Sequence, residues 1–157
     1  MGIDTSGAVN LDEVDKRIIR ELAADGRMSI RALADKTHIS RSHAYARLAR
    51  LQELGIIESF TARIAHDRAG FGASAYVALE IQQDSWKGIA AHLRTMSYVE
   101  HYALLGGDVD VLVLVRAPDN RILRNLVLEQ FQGLAGVRST KTWLIFEDAI
   151  GPGPDWT

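Results

Sequence analysis

The stretch SIRALADKTHISRSHAYARLARLQEL, residues 29–54, reads as two short helices joined by a tight turn. Ser29 caps the first, which places Ile30, Leu33 and Ala34 on one face at helical spacing. His38 and Ile39 make the turn, and Ser40 caps the second helix, whose apolar stripe is Ala44, Leu48, Leu51 and Leu54. Ala34 is small where two helices must cross closely, and Ile39 is an apolar plug in a polar turn; both favour a helix-turn-helix over an arbitrary helical hairpin. The turn calls for positive φ at His38, where glycine is the easier residue, although histidine enters that region more readily than most. The far side of the second helix carries Arg41, Ser42, His43, Tyr45, Arg47 and Arg50, with no acid between Asp35 and Glu53. That is the pattern expected of a helix that enters a groove lined by phosphates. A merely solvated face on a small three-helix domain would show the same caps and arginines, so the spacing alone leaves both readings open.

Upstream, Asp12, Glu13 and Asp15 open a helix at the end where its dipole favours acids; Val14, Ile18, Ile19 and Leu22 form its buried stripe, and Asp25-Gly26 stops it. Residues 1–10 read as a loose arm; Met1-Gly2 with Ser6 fits a myristoylation pattern too short to carry weight. Downstream, Gly55 ends the second helix of the pair, and Ile56, Phe60, Ala62 and Ile64 alternate in phase, which predicts a strand serving as a wing or tether. The chain is thus expected to hold a helix-turn-helix domain over 1–63 and a glycine-bearing hinge over 64–72. A second domain follows over 73–150, with a turn-rich, frayed tail over 151–157.

That second domain reads strand, helix, strand, strand, helix, strand, the ferredoxin-like βαββαβ order, so the fold class is α+β. The strands are expected around Ala75–Ile81, Val99–Leu105, Val109–Val115 and Val137–Phe146. The first helix turns Trp86, Ile89, Ala90 and Leu93 inward; the second uses Ile122, Leu123, Leu126, Val127 and Phe131. Both helices cover one sheet face in such a fold, yet Val111 to Val115 is apolar on both. Water against that second face would cost on the order of 25 cal/mol per Å² of apolar surface. The expectation is a homodimer through the open face, the competing one that the N-terminal domain folds back over it.

Composition narrows the class. No cysteine is present, which removes disulfides, thiolate metal sites and thiol nucleophiles and is compatible with a reducing compartment. No apolar run approaches a membrane-spanning length, and no membrane partner is expected. The net charge of −2 divides into +1 over residues 1–63 and −3 over 64–157, so any attraction to DNA must be local, around Arg41, Arg47 and Arg50. His38, His43, His66, His92 and His101 lack metal-ligand spacing and no serine sits in a nucleophile elbow; no catalytic residue, metal or cofactor is expected.

In their order and spacing these residues resemble the Lrp/AsnC, or feast/famine, transcriptional regulators, from Leu11 to about Phe146. The matching stretches are Leu11-Asp12-x-x-Asp15, Asp25-Gly26-Arg27, Leu33-Ala34, Ile39-Ser40-x-Ser42 and Arg47-x-x-x-Leu51-x-x-x-Gly55-Ile56-Ile57. The second half adds Gly107-x-x-Asp110 and Gly136-Val137-x-x-Thr140. The resemblance implies a DNA-binding domain joined by a strand to a ligand-sensing ferredoxin-like domain, in cytoplasmic dimers that assemble to octamers. Two recognition helices would then enter successive major grooves ~34 Å apart on double-stranded DNA. Ser40, Arg41, Ser42, His43 and Tyr45 are expected at base edges or nearby phosphates, and Arg47 and Arg50 at phosphates.

The resemblance also implies a small effector, an amino acid or related metabolite, at the loop between the second and third strands. Its expected residues are Gly106, Gly107, Asp108, Asp110 and Thr140. Glycine amides can donate to a carboxylate and Asp110 can accept an ammonium, although Gly-Gly-Asp is equally ordinary hairpin chemistry. Gly106 and Val109 stand where the family often has threonine and an aromatic residue, which shifts specificity. Two alternatives accompany this reading. Some haem-pathway decarboxylases share the architecture, though no His/Arg cluster for a polycarboxylate substrate is visible here. The other is a sensing or assembly protein without DNA readout, which the intact Ser40 cap and clustered arginines oppose.

Overall fold

The structure, a computed structural model, describes residues 9–156. Residues 1–8 of the expected arm, and with them the Met1-Gly2 pattern, lie outside the described residues. The chain divides into two compact units, Met1–Arg63 with Gly151–Thr157, and Ile64–Ile150.

The first unit is built on α1 (Glu13–Ala24), α2 (Ile30–Thr37) and α3 (Arg41–Glu53). Each helix starts where its sequence offers a side-chain oxygen to the free amides of a first turn. Asp12 accepts from the Val14 and Asp15 amides while the Asp15 carboxylate reaches back to the Asp12 amide, a reciprocal capping box. Ser29 accepts from the Ala32 amide and Ser40 from that of His43. Between α2 and α3 the backbone turns at His38 in the left-handed region, φ 58° and ψ 44°, as the turn requires. Ile18, Ile19 and Leu22 of α1, Leu33 and Ala34 of α2, and Ala44 and Leu51 of α3 close the core. Buried Thr37 satisfies its hydroxyl on the Leu33 carbonyl at 2.7 Å.

Three expectations in this unit are corrected. Leu54 is 45% exposed. The chain reverses at Gly55 (φ 68°), where the amides of Gly55 and Ile56 bond back to the carbonyls of Gln52 and Leu51. This C-terminal motif turns Ile56 and Ile57 onto the core in Leu54's place. The alternating run 56–64 is not a strand. Alternation yields a strand only where a second edge accepts the ladder bonds, and among the described residues this unit contains no other strand. The tail is not loose throughout, since Trp156 packs against the core of this unit.

The second unit runs β1 (Ala73–Ile81), α4 (Trp86–Leu93), β2 (Val99–Leu104), β3 (Val111–Ala117), α5 (Asn120–Asn125) and β4 (Val137–Leu144). After α5 the helix continues as a wider turn over Leu126–Phe131, where the Gln132 amide reaches back five residues to the Val127 carbonyl at 3.1 Å. The sheet order is β2-β3-β1-β4 with every neighbour antiparallel, the ferredoxin-like arrangement. Val77, Leu79, Val111, Val113 and Val115 meet Ile89, Leu93, Leu123, Leu126 and Phe131 in one core. Trp86 was expected in that core but is 44% exposed: it opens α4 beside Lys87, whose ammonium lies 5.5 Å from the ring centre.

Among the described residues of this unit both helices pack on that core face, and register shows what lines the opposite one. Tyr76 sits opposite Leu114 on one side and Trp143 on the other, and Ala78 lies between Leu112 and Lys141. Leu112 and Leu114 are half-buried, and Tyr76 and Trp143 are exposed.

Gly136 fixes how β4 is reached. Its φ is 92°, its carbonyl accepts from the Gln82 amide at 2.8 Å, and a Cβ placed on it would stand 2.2 Å from the Ser85 hydroxyl at the start of α4. Only glycine admits both the backbone turn and that approach. Gly136→Ala is expected to destabilise the protein by about 2–4 kcal/mol, from left-handed strain added to overpacking. Urea unfolding followed by circular dichroism measures it, and a loss under about 0.5 kcal/mol, the range of an inert surface change, would contradict it.

Candidate nucleic-acid interface

Helix α3 has two polar margins that differ in character. At its N-terminal end Arg41, Ser42, His43 and Tyr45 are all exposed, Tyr45 to 68%. Ser40 holds the helix start and also lies 3.1 Å from the Ser42 hydroxyl. Among the described residues Arg41 has no acidic partner within ion-pair distance. A helix N-terminus with a cation and three hydrogen-bonding side chains facing water suits both phosphate oxygens and base edges.

Further along, the expectation that Arg47 and Arg50 stand outward and unpartnered does not hold. Nη1 of Arg47 donates to both Asp12 oxygens, at 2.8 and 2.7 Å, and to Oδ1 of Asp15 at 2.9 Å. Nη1 of Arg50 donates to Oδ2 of Asp15 at 3.2 Å. The physical reason is helical phase. At 100° per residue Arg47 lies only about 60° from Ala44, on the flank that meets α1 rather than the far side. Asp15 is 2% exposed, and its burial demands these partners. The absence of acids before Glu53 in α3 concealed this, because the partner acids come from the start of α1. The signal available was Asp12 and Asp15 themselves, read only as helix-start residues.

The Asp15 amide first, then the Arg47 guanidinium, hold the Asp12 carboxyl below the usual carboxylate range, while Asp12 and Asp15 raise Arg47. A carboxyl depressed in the folded state contributes stability that is complete above its unfolded value, about 3.9, and is lost as pH falls through its folded one. Asp12→Asn is therefore expected to lower the urea midpoint of the first unit at pH 6. The gap from the wild-type chain should narrow as pH falls below about 3.9 and on through the folded value, and a gap independent of pH would contradict the assignment.

The loop expected to hold an effector runs from Gly106 to Asp110. Gly106, Gly107 and Asp108 are exposed, and Gly107 has φ 155°. Asp110 already has a structural task. Its amide donates to the Leu79 carbonyl at 3.2 Å, and its Oδ2 accepts from the Ile81 amide at 2.8 Å, beyond the last β1–β3 pair. Its carboxylate stands in for the next ladder acceptor. Thr140 pairs with Leu79 across β1–β4, and its hydroxyl accepts from the side-chain Nε2 of Gln132 at 3.1 Å. Asp110 and Thr140 thus flank the end of β1 from its two sides, while Gly106, Gly107 and Asp108 project from the β2–β3 connection. Among the described residues no group of His, Cys, Asp and Glu is placed to hold a metal ion, and no helix is long and apolar enough to cross a membrane.

Comparison with known proteins places both units. The profile of winged helix-turn-helix DNA-binding domains matches residues 11–58, and that of the Lrp/AsnC ligand binding domain matches residues 74–151. The HTH-type transcriptional regulator AldR of Mycolicibacterium smegmatis is 35% identical over 163 residues, covering 98% of this chain and 95% of its own. The crystal structure of the leucine response regulatory protein LrpA of Mycobacterium tuberculosis superposes with a TM-score of 0.80 at 30% identity, covering 94% of this chain and all of that one. A transcriptional regulator of Neisseria meningitidis, solved as a complex with L-Met, shares the fold with a TM-score of 0.84 at 23% identity, over 90% of this chain and 94% of its own. With a capped helix-turn-helix ahead of a four-stranded antiparallel sheet, and relatives matched along almost their whole length, the chain belongs to the Lrp/AsnC family of transcriptional regulators, a DNA-binding domain followed by a ligand-binding one.

Proposed function

We propose that this regulator reads a double-stranded, pseudo-palindromic site through Arg41, Ser42, His43 and Tyr45, with Ser40 fixing the helix end from which they project. The observation that supports this reading is the exposure of those side chains on the first turns of α3, with Arg41 lacking an acidic partner among the described residues. Arg31, exposed on the first turn of α2, joins them as a phosphate contact. Arg47 and Arg50 leave the set of direct contacts in this reading, because Nη1 of each is engaged with Asp12 or Asp15.

The molecule works as a homodimer through the open sheet face, with further assembly to an octamer. The apolar row Tyr76, Ala78, Leu112, Leu114 and Trp143 supports this, since water there is costly and a second copy supplies an identical apolar face. Residues 64–72 act as a hinge between a DNA-binding domain over 1–63 and an effector domain over 73–150. The effector is an amino acid or related metabolite, held at Gly106, Gly107 and Asp108 with Asp110 and Thr140 framing the floor. The Neisseria regulator's complex with L-Met supports the class. Regulation by binding needs no catalytic step, and the work is cytoplasmic, where the DNA is.

Selection from random duplexes is expected to enrich a two-part site with half-sites about one helical turn, ~34 Å, apart. Repeating it with pooled amino acids at millimolar concentration should shift affinity or enrichment. No enriched sequence would overturn the DNA reading; enrichment indifferent to every amino acid would overturn the effector. Light scattering at low micromolar protein is expected to give a dimer or larger species, and a stable monomer would overturn the sheet-to-sheet interface.

A further inference from the structure

The geometry points to a positioning role in DNA reading for a cluster that does not itself face the groove: Asp12 and Asp15 of α1, acting through Arg47, set the angle at which the first turns of α3 meet the duplex. The contact between α1 and α3 otherwise rests on apolar side chains such as Ile18 and Leu51. Such packing is non-directional and tolerates small rotations. Hydrogen bonds do not. One guanidinium nitrogen of Arg47 sits within 2.7 to 2.9 Å of three carboxylate oxygens, two on Asp12, the cap of α1, and one on Asp15 within it, and Arg50 adds a fourth bond to Asp15. Asp15 is closed on its remaining side by the Asp12 amide at 3.3 Å. Any rotation of α3 against α1 breaks part of this set and leaves a buried charge short of a partner.

The lever is long enough to matter. Ser40 lies seven residues before Arg47, about 10 Å along the axis. A pivot of about 10° at Arg47 would move the first turn by about 2 Å, several times the half-ångström range in which hydrogen bonds to base edges keep their geometry. The cluster therefore acts on which sequence is read, not on the general attraction to phosphate. This inference rests on α3 being the reading helix, which site selection with the wild-type chain tests by itself.

The test compares the full wild-type chain with Asp15→Asn, Arg47→Met and the double variant. Each is titrated with a duplex carrying the selected site and with a scrambled duplex, over a series of salt concentrations below the melting transition. Each single variant is expected to lose about tenfold in the ratio of specific to non-specific affinity, with the salt slope unchanged. The double variant should lose no more than either single one, because both break the same link. Arg47→Lys, which keeps the charge and the reach to a carboxylate, should retain more of the ratio than Arg47→Met. Three results would overturn the assignment. A slope flattened by ~1 on both duplexes in Arg47→Met makes Arg47 a phosphate contact. Tighter binding of both duplexes by Asp15→Asn makes the carboxylate a mere mask over the arginines. An unchanged ratio, even with a lowered melting temperature, makes the cluster only a packing device; should Asp15→Asn fail to fold, the two Arg47 variants decide alone.

Discussion

Two carboxylates on one helix and two guanidiniums on another form the constraint on which the first unit depends. Asp12 and Asp15 each serve twice, capping α1 and accepting from α3. Isolated ion pairs at a surface contribute about 0–1 kcal/mol, so this cluster is not where the unit's stability chiefly originates. Its weight is directional. A buried Asp15 tolerates only those placements of α1 and α3 that keep its oxygens paired, whereas the apolar core tolerates many. The cap that starts α1 and the contact that seats α3 are therefore one structure, and a change to either is felt by both.

The second unit uses charged side chains in the same way, to finish what regular structure leaves open. Asp110 supplies an acceptor where the β1–β3 ladder stops. Arg116, on the open face of β3, bonds Glu100 of β2 and Asp148 of the segment after β4, so the strand-following chain is tied to the sheet by charge. Gly136 does the complementary work by subtraction, leaving room for Ser85 at the head of α4. The consequence is a sheet with one face sealed by helices and a margin pinned by polar contacts. Beyond Arg116, the remaining face presents the side chains of Tyr76, Leu112, Leu114 and Trp143.

What could be read in the sequence was what depends on neighbours along it. The caps at Ser29 and Ser40, the strained turn at His38, the stripe of Ile18, Ile19 and Leu22, and the order of strands and helices all follow from local period and turn chemistry. The misses share another cause. Leu54 falls in phase with the α3 stripe, but the Gly55 reversal replaces it by residues beyond the helix. Ile56 to Ile64 alternates, but a strand also needs an edge to join. Arg47 and Arg50 sit on a helix with no acid before Glu53, but their partners lie 32 to 35 residues upstream. Asp110 has the right group for an ammonium, and what the sequence could not show is that one of its oxygens, Oδ2, also serves a backbone amide. Each depends on a tertiary neighbour that no local pattern records.

Removing Arg47 and Arg50 from the outward charge changes what one copy can do on DNA. The chain is acidic overall, at −2, and the first 63 residues carry only +1. With those two arginines paired to Asp12 and Asp15, the exposed start of α3 retains Arg41 as its cation, and the start of α2 exposes Arg31. Affinity for DNA grows with the number of phosphates neutralised, and one or two contacts per domain give little. Linking two such domains turns the second contact into an intramolecular one and multiplies affinity without any new contact. A weak single domain also makes non-specific binding weak, so discrimination falls to paired half-sites and to the angle of α3. If the proposed dimer forms, the modest charge of the α3 margin and the apolar face of the sheet are parts of one design: the second would make the pairing that the first requires.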